Sequence, residues 1–232
     1  MPQKLSPEKQ KGLGTSLINA ALVGDTETVR ILLAAGANVH TRSDEALWRA
    51  AYSGHTETVK ALLAAGAAVH EVGDQALCGA AFNGHTETVK TLLAAGADVH
   101  ASNDVALWWT VKEGHTETVK TLLAAGADVR AMDNLALCWA AYGGHMEIVR
   151  MLAKHIFAPD SWSGKNREEI EAQADTLYER IKTFNPANLA NPELLRKSAK
   201  ILVDCALDCW FQVRPAPPKL QISPLAAQPR PL

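Results

Sequence analysis

The sequence predicts an all-α fold, a helical solenoid of five repeats closed at its C-terminal end by a helical hairpin. Three observations carry this. The segment GHTETVKTLLAAGADV occurs twice without a change, at residues 84–99 and 114–129. A near copy, GHTETVKALLAAGAAV, starts at Gly54, so the spacing is 30 residues each time, and fixed periods of 20–50 residues are the signature of stacked units. Within each unit, apolar residues recur at helical spacing and a glycine follows each run.

Aligned on Gly24, Gly54, Gly84, Gly114 and Gly144, residues 14–157 form five units, each reading as helix, tight turn, helix, loop. The first helix of a unit is short, as in DEALWRAAYS at residues 44–53. Asp44, Asp74, Asp104 and Asn134 stand at the expected N-cap, and all are strong capping types. Leu47, Ala50 and Ala51 make a narrow apolar stripe whose alanines let neighbouring helices approach closely. Gly54 ends the helix. The second helix is expected over residues 56–65, with Val59, Leu62 and Leu63 on its buried face and Glu57 at its positive end. Gly66 suits the left-handed C′ position, and Val69 tucks under the loop. Helices this short are marginal alone in water, so stability must come from stacking each unit on the next. The copied segments are packing parts.

Residues 1–13 form an N-terminal segment in which Ser6-Pro7-Glu8 offers a helix start that would shield the first repeat. The fifth unit ends as MLAKHIFAPDSW rather than LLAAGADV, so the array stops near Phe157. A helical cap is expected over 158–214. Asn166 with Glu169 resembles a capping box, followed by the apolar stripe Ile170, Ala174, Leu177, Ile181 and Phe184. Asn191-Pro192 is a second start, with proline at N1, leading to Leu195, Ala199, Leu202, Ala206, Cys209 and Trp210 on one face. The two helices would close over the open end of the last repeat. Residues 215–232 are proline-rich and expected to be disordered; Pro215-Ala-Pro-Pro218 satisfies P-x-x-P, a pattern common in such segments.

The repeats resemble the ankyrin family. The order G-H-x-E-x-V-K-x-L-L-x-x-G-A-x-V over residues 54–69 is similar to the outer-helix half of that family's unit. Leu47 with Ala50-Ala51 matches the inner half, and Thr15-Ser16-Leu17 echoes the family's Thr-Pro-Leu. Two departures stand out. The period is 30 rather than the family's 33, with the shortening between Val69 and Asp74, in the β-turn finger. The histidine of the family's T-P-L-H motif is replaced by Trp48, Cys78, Trp108 and Cys138. Similar short-fingered arrays occur in some giant-virus and bacterial proteins. Recognition should therefore rest less on the fingers and more on the inner helices.

Between the copied segments the inner helices vary by column. The columns read Glu45, Gln75, Val105, Leu135; then Arg49, Gly79, Trp109, Trp139; then Tyr52, Phe82, Lys112, Tyr142; then Ser53, Asn83, Glu113, Gly143. Residues at i and i+4 share a helix face, and aromatics and arginine are the usual anchors of protein interfaces. The resemblance places the 52 and 53 columns on the groove that the family uses for partners. Candidate partner-binding residues are therefore Glu45, Arg49, Tyr52, Ser53, Gln75, Phe82, Asn83, Val105, Trp109, Lys112, Glu113, Leu135, Trp139 and Tyr142. Tyr52, Phe82 and Tyr142 are assigned to the groove. Trp109 and Trp139 stay open between groove and inter-repeat packing. Trp48 and Trp108 are assigned to gaps between repeats, and Cys78 and Cys138 to the core.

The remaining signals narrow the function. Lys plus Arg total 23 against 25 Asp plus Glu, a formal net charge of −2, which gives no drive toward nucleic acid or anionic lipid. The opening MPQKLSPEKQKGLG lacks an apolar core, so neither a signal peptide nor a membrane span is expected. Four cysteines without a disulfide pattern fit the cytoplasm, although bacterial effector export leaves no mark of this kind. His55, His85, His115 and His145 recur at the same period, as do His40, His70 and His100. Stacked helices lie about 8–10 Å apart, while donors sharing a zinc sit about 2 Å from it, so both ladders are read as loop histidines bonding backbone between units. Cys205 and Cys209, one helical turn apart, are read as core. No metal or cofactor is expected. Phosphate-cradling glycine loops, G-x-S-x-G and H-E-x-x-H are all missing from the sequence. The expected function is a monomeric scaffold that grips another protein with its concave inner-helix face and has no chemistry of its own. The alternative is an enzyme or regulatory subunit whose site lies in the C-terminal helices.

Overall fold

The computed structural model describes residues 6–71, 74–163, 165–183 and 192–213. The apolar periodicity becomes five stacked helix pairs, with no strand among the described residues. They are α1 (Pro7–Val23) with α2 (Thr26–Ala34), α3 (Glu45–Tyr52) with α4 (Thr56–Ala64), and α5 (Gln75–Phe82) with α6 (Thr86–Ala94). Then come α7 (Ala101–Glu113) with α8 (Thr116–Ala124) and α9 (Ala131–Tyr142) with α10 (Met146–Ile156). Inner helix packs on inner helix and outer on outer along the whole array. α1 runs unbroken through residues 7–23, started by Ser6, whose hydroxyl accepts from the Lys9 N–H at 3.4 Å.

Burial repeats with the sequence. Leu47, Leu77, Leu107 and Leu137 on inner helices and Leu62, Leu92, Leu122 and Leu152 on outer ones are each at most 2% exposed. Burying one such side chain contributes about 1.5–3 kcal/mol, so every unit adds a similar increment. Ala50, Ala51, Ala80 and Ala81 are fully buried where the inner helices meet. Gly66, Gly96 and Gly126 adopt φ of 90°, 96° and 97°. After Gly66 the Ala67 N–H reaches back to the Leu62 carbonyl at 3.0 Å, which closes α4 as the C′ reading expects.

The aspartates correct the capping expectation. Asp44, Asp74 and Asp104 all have φ of 57° and Asn134 has 61°, and no side-chain cap bond is made at Asp44 or Asp74. In this left-handed conformation, which Asp and Asn tolerate better than most residues, the carboxylate turns toward the loop that closes its own unit. Asp44 Oδ1 accepts from the Ala68 N–H at 3.1 Å, Asp74 Oδ1 from Asp98 at 3.2 Å and Asp104 Oδ1 from Asp128 at 2.9 Å. The shortened finger is a left-handed turn, with Arg42, Ser43 and Asp44, and again Ser102, Asn103 and Asp104, in succession at positive φ.

Beyond the array, one short helix was not expected: α11 (Pro159–Trp162). It begins at a proline and carries Trp162, whose indole N–H donates to the Ile156 carbonyl at 2.7 Å. That bond satisfies an acceptor at the end of α10. Then α12 (Arg167–Thr183) and α13 (Pro192–Val213) pack on each other and close over α9 and α10. The capping box is formed: the Glu169 N–H donates to Asn166 Oδ1 at 3.0 Å and the Asn166 N–H to Glu169 Oε2 at 2.8 Å. Ile170, Ala174, Leu177, Ile181, Leu202 and Ala206 are all buried. Phe184, Asn191 and residues 215–232 lie outside the described residues, as do the side chains of Leu195, Ala199, Cys209 and Trp210.

Candidate functional site

The inner helices bring the variable aromatics into one chain of rings. Trp48 meets Tyr52 at 5.7 Å between centroids, and Tyr52 stacks on Phe82 of the next unit at 6.4 Å. Phe82 meets Trp109 edge-on at 5.1 Å, and Trp109 lies 4.3 Å from Trp108. Trp108 reaches Trp139 at 6.2 Å, and Trp139 reaches Tyr142 at 5.7 Å. The strip therefore crosses four units without a break. Such pairs contribute about 0.5–1.5 kcal/mol beyond their burial, so the rings support one another as well as facing outward.

Two cations sit on the strip. The Arg49 guanidinium lies 4.8 Å from the Trp48 ring centre, and Lys112 Nζ lies 4.8 Å from Trp109, 5.4 Å from Trp139 and 5.6 Å from Trp108. Arg49 is also bound by Glu45 at 2.8 Å, and this hydrogen bond holds the Glu45 carboxyl below the usual carboxylate range. Lys112 has only rings around it among the described ion pairs and ring contacts.

The other candidates divide. Tyr52 and Tyr142 are 42% and 39% exposed, while Phe82, Trp109, Lys112 and Trp139 are half-buried within the strip. Asn83 is half-buried and spends its amide on the carbonyls of Tyr52 at 3.2 Å and Gly79 at 3.1 Å, so it ties two units together. Ser53, Val105 and Leu135 are half-buried, and Gln75 and Glu113 are exposed. None of these five takes part in the ring contacts.

Two residues of the same columns escaped the sequence reading, which began the columns at the second unit. Leu22 and Val23 stand one period before Tyr52 and Ser53 and are 40% and 69% exposed. Carrying the 30-residue period back one unit would have found them.

The histidine ladders separate. His55, His85 and His115 place Nε2 at 3.1, 3.1 and 3.0 Å from the carbonyls of Leu22, Tyr52 and Phe82, bonding backbone of the preceding unit as expected. The second ladder differs from expectation: Nδ1 of His40, His70 and His100 meets the carboxylate four residues on, of Asp44, Asp74 and Asp104, at 3.1, 3.3 and 3.1 Å. In each pair the aspartate stands at positive φ. No group of three His, Cys, Asp or Glu side chains among the described residues is placed to hold a metal ion. Cys78 is half-buried, and burial first, then the charge of Asp74, pushes its thiol up to about 11. Burial raises Cys138 as well, and thiols of this kind are poor nucleophiles near neutral pH. No described helix is long and apolar enough to cross a membrane.

A comparison with curated proteins finds no match. The family model "Ankyrin repeats (3 copies)" matches the chain twice in overlapping register, over residues 17–103 and 77–163. Those two matches span all five helix pairs almost from end to end, and the chain belongs to the ankyrin-repeat family.

Proposed function

We propose that the protein is a binding scaffold that holds a partner protein against the inner-helix face, along the strip from Leu22 through Tyr52, Phe82 and Trp109 to Tyr142. Ankyrin repeats are in general protein–protein interaction modules, and the family is typically non-enzymatic. The observation that carries the choice of face is where exposed apolar groups collect. Among the described residues the exposed large hydrophobics are Leu22, Val23, Ile31, Tyr52, Tyr142 and Val203, and four of these fall in the two adjoining inner-helix columns. Aromatic anchors flanked by cations suit a protein surface. The near balance of charge favours a protein over a nucleic acid or a membrane surface. The proposed setting is a monomer in the cytoplasm.

Alanine at Phe82 and Tyr142 tests the face. Capture of partner protein from lysate of the source cells should fall by at least about 30-fold, since hot-spot truncation costs 2 kcal/mol or more. The melting temperature of Tyr142→Ala should stay close to wild type, because that ring is already substantially exposed. Undiminished capture by both variants would move the partner to another surface.

A further inference from the structure

We propose that the aromatic strip is built to receive a proline-rich segment lying along the array, and that its resident occupant is the chain's own residues 214–232. The inference rests on the reading of the inner-helix face as the binding surface and names the chemistry that the face selects. Successive units stack about 8–10 Å apart. A polyproline II segment turns once every three residues and rises about 3.1 Å per residue, so it offers the same side about every 9 Å. Such a segment lies in register with the repeats, one contact per unit. The rings are disposed to take pyrrolidine: Phe82 with Trp109 and Trp139 with Tyr142 each meet nearly at right angles, 86° and 89°, and form corners between two ring planes. Aromatic-lined grooves recognise proline-rich chains in this way because the ligand is already extended and loses little entropy on binding.

Residues 214–232 supply that chemistry. They hold six prolines, and Pro215, Pro218 and Pro224 stand at multiples of three residues. Length allows the reach: nineteen residues in polyproline II span roughly 60 Å, against about 24–30 Å for the three unit steps from Tyr142 to Tyr52. The starting point allows it too, because α13, which ends at Val213, packs against α9, the helix bearing Trp139 and Tyr142. Charge agrees in part. The segment carries Arg214, Lys219 and Arg230 and no acidic side chain, and Glu113, exposed beside the strip, forms no ion pair among those described. Arg49 and Lys112 are the like charges it meets; Glu45 already pairs the first and the tryptophan rings hold the second. A partner carrying its own proline-rich stretch would then compete with the tail for the strip.

The test uses the full chain with Pro215, Pro218 and Pro224 changed to serine, compared with wild type by the indole N–H signals of its tryptophans. The expected result is a shift at Trp109 and Trp139 with Trp162, at the capped end, unmoved. A synthetic peptide of residues 214–232 added to the variant should return those signals toward wild type. Superimposable spectra with no response to the peptide overturn the proposal. Shifts that depend on protein concentration, with a dimer mass in solution, overturn the intramolecular occupant in favour of a second copy. If the tail variant is silent while Tyr142→Ala still loses partner capture, this inference fails and the binding-face reading stands.

Discussion

Units two to four carry three polar threads. The aspartate that opens a unit accepts a backbone N–H of the loop that closes it, a histidine reaches back to a carbonyl of the preceding unit, and threonines meet across the outer helices. Those threonine pairs are Thr26–Thr58, Thr56–Thr88 and Thr86–Thr118, each at 2.8 Å. In unit five the residues that make the aspartate and threonine threads are replaced. Asn134 replaces the aspartate and its buried Oδ1 has no hydrogen-bond partner. Arg130 stands in the column of His100 and donates to the Ile156 carbonyl at 2.8 Å. Met146 and Ile148 replace the two threonines, and Ile148 is fully buried. An interface that must be copied is marked with directional bonds that fix its register. The interface that ends the array is apolar and takes a different partner, the hairpin.

The largest effect expected is on the apolar side. Leu177→Ala, at a residue 1% exposed, should destabilise by about 2–5 kcal/mol, the usual range for a buried leucine truncation. Because solenoid stability is a sum of neighbour terms, hydrogen exchange should quicken most in α9, α10 and the hairpin and least in α4. Uniform quickening along the array would show that the two ends are not separable in this way.

The polar side comes next. Asp74→Ala removes an acceptor from the Asp98 N–H and should cost about 1.5–3 kcal/mol for the charged hydrogen bond, plus the strain of alanine at positive φ. Asn134→Ala carries the same strain but loses no bridging bond, so the difference between the two variants in urea unfolding isolates the thread. Equal losses would mean that the aspartates act through their backbone conformation alone.

That pair of positions also shows what could be read in advance. The 30-residue period, the glycines, the buried leucine and alanine stripes and the Asn166–Glu169 capping box were all legible, because each is a local pattern with one dominant cause. The role of Asp44, Asp74 and Asp104 was not. Aspartate before a helix suits a cap, and only the sign of φ, which neighbouring residues do not reveal, turns the carboxylate to the loop that closes its unit. The ring strip was half legible: the period puts Phe82 and Trp109 in neighbouring columns, but their contact depends on side-chain rotamers. Leu22 and Val23 were missed, although the period alone points to them.

A smaller effect tests a position that the copies share. Gly96 has φ of 96°, and a Cβ added there meets nothing within 4 Å. Gly96→Val therefore reports backbone strain without a clash, and should cost about 1–2 kcal/mol in urea unfolding. Gly84 has φ of 70° as well, but its added Cβ would lie 2.5 Å from His115 Nδ1. Gly84→Val should lose more, and equality of the two would remove the histidine contact as a reason for glycine in that column.

The smallest effect is a pH dependence confined to the copied interfaces. Burial first, then the neighbouring charges of His115 and His55, lowers the pKa of His85 from its ordinary 6.5, and the bond to the Tyr52 carbonyl only partly offsets this. With the folded pKa below the unfolded one, the unfolded chain binds more protons as the pH falls, so stability declines. The contribution is whole above about pH 6.5 and is lost as the pH drops from there through the folded value. Its size is modest because the ring is only partly shielded from solvent. Glutamine at position 85 can keep a donor to the Tyr52 carbonyl and cannot titrate. The urea midpoint of His85→Gln should therefore fall less between pH 7.5 and 5.5 than that of wild type. Identical slopes would mean that this histidine holds its bond equally well in either charge state, leaving the ladder insensitive to acid.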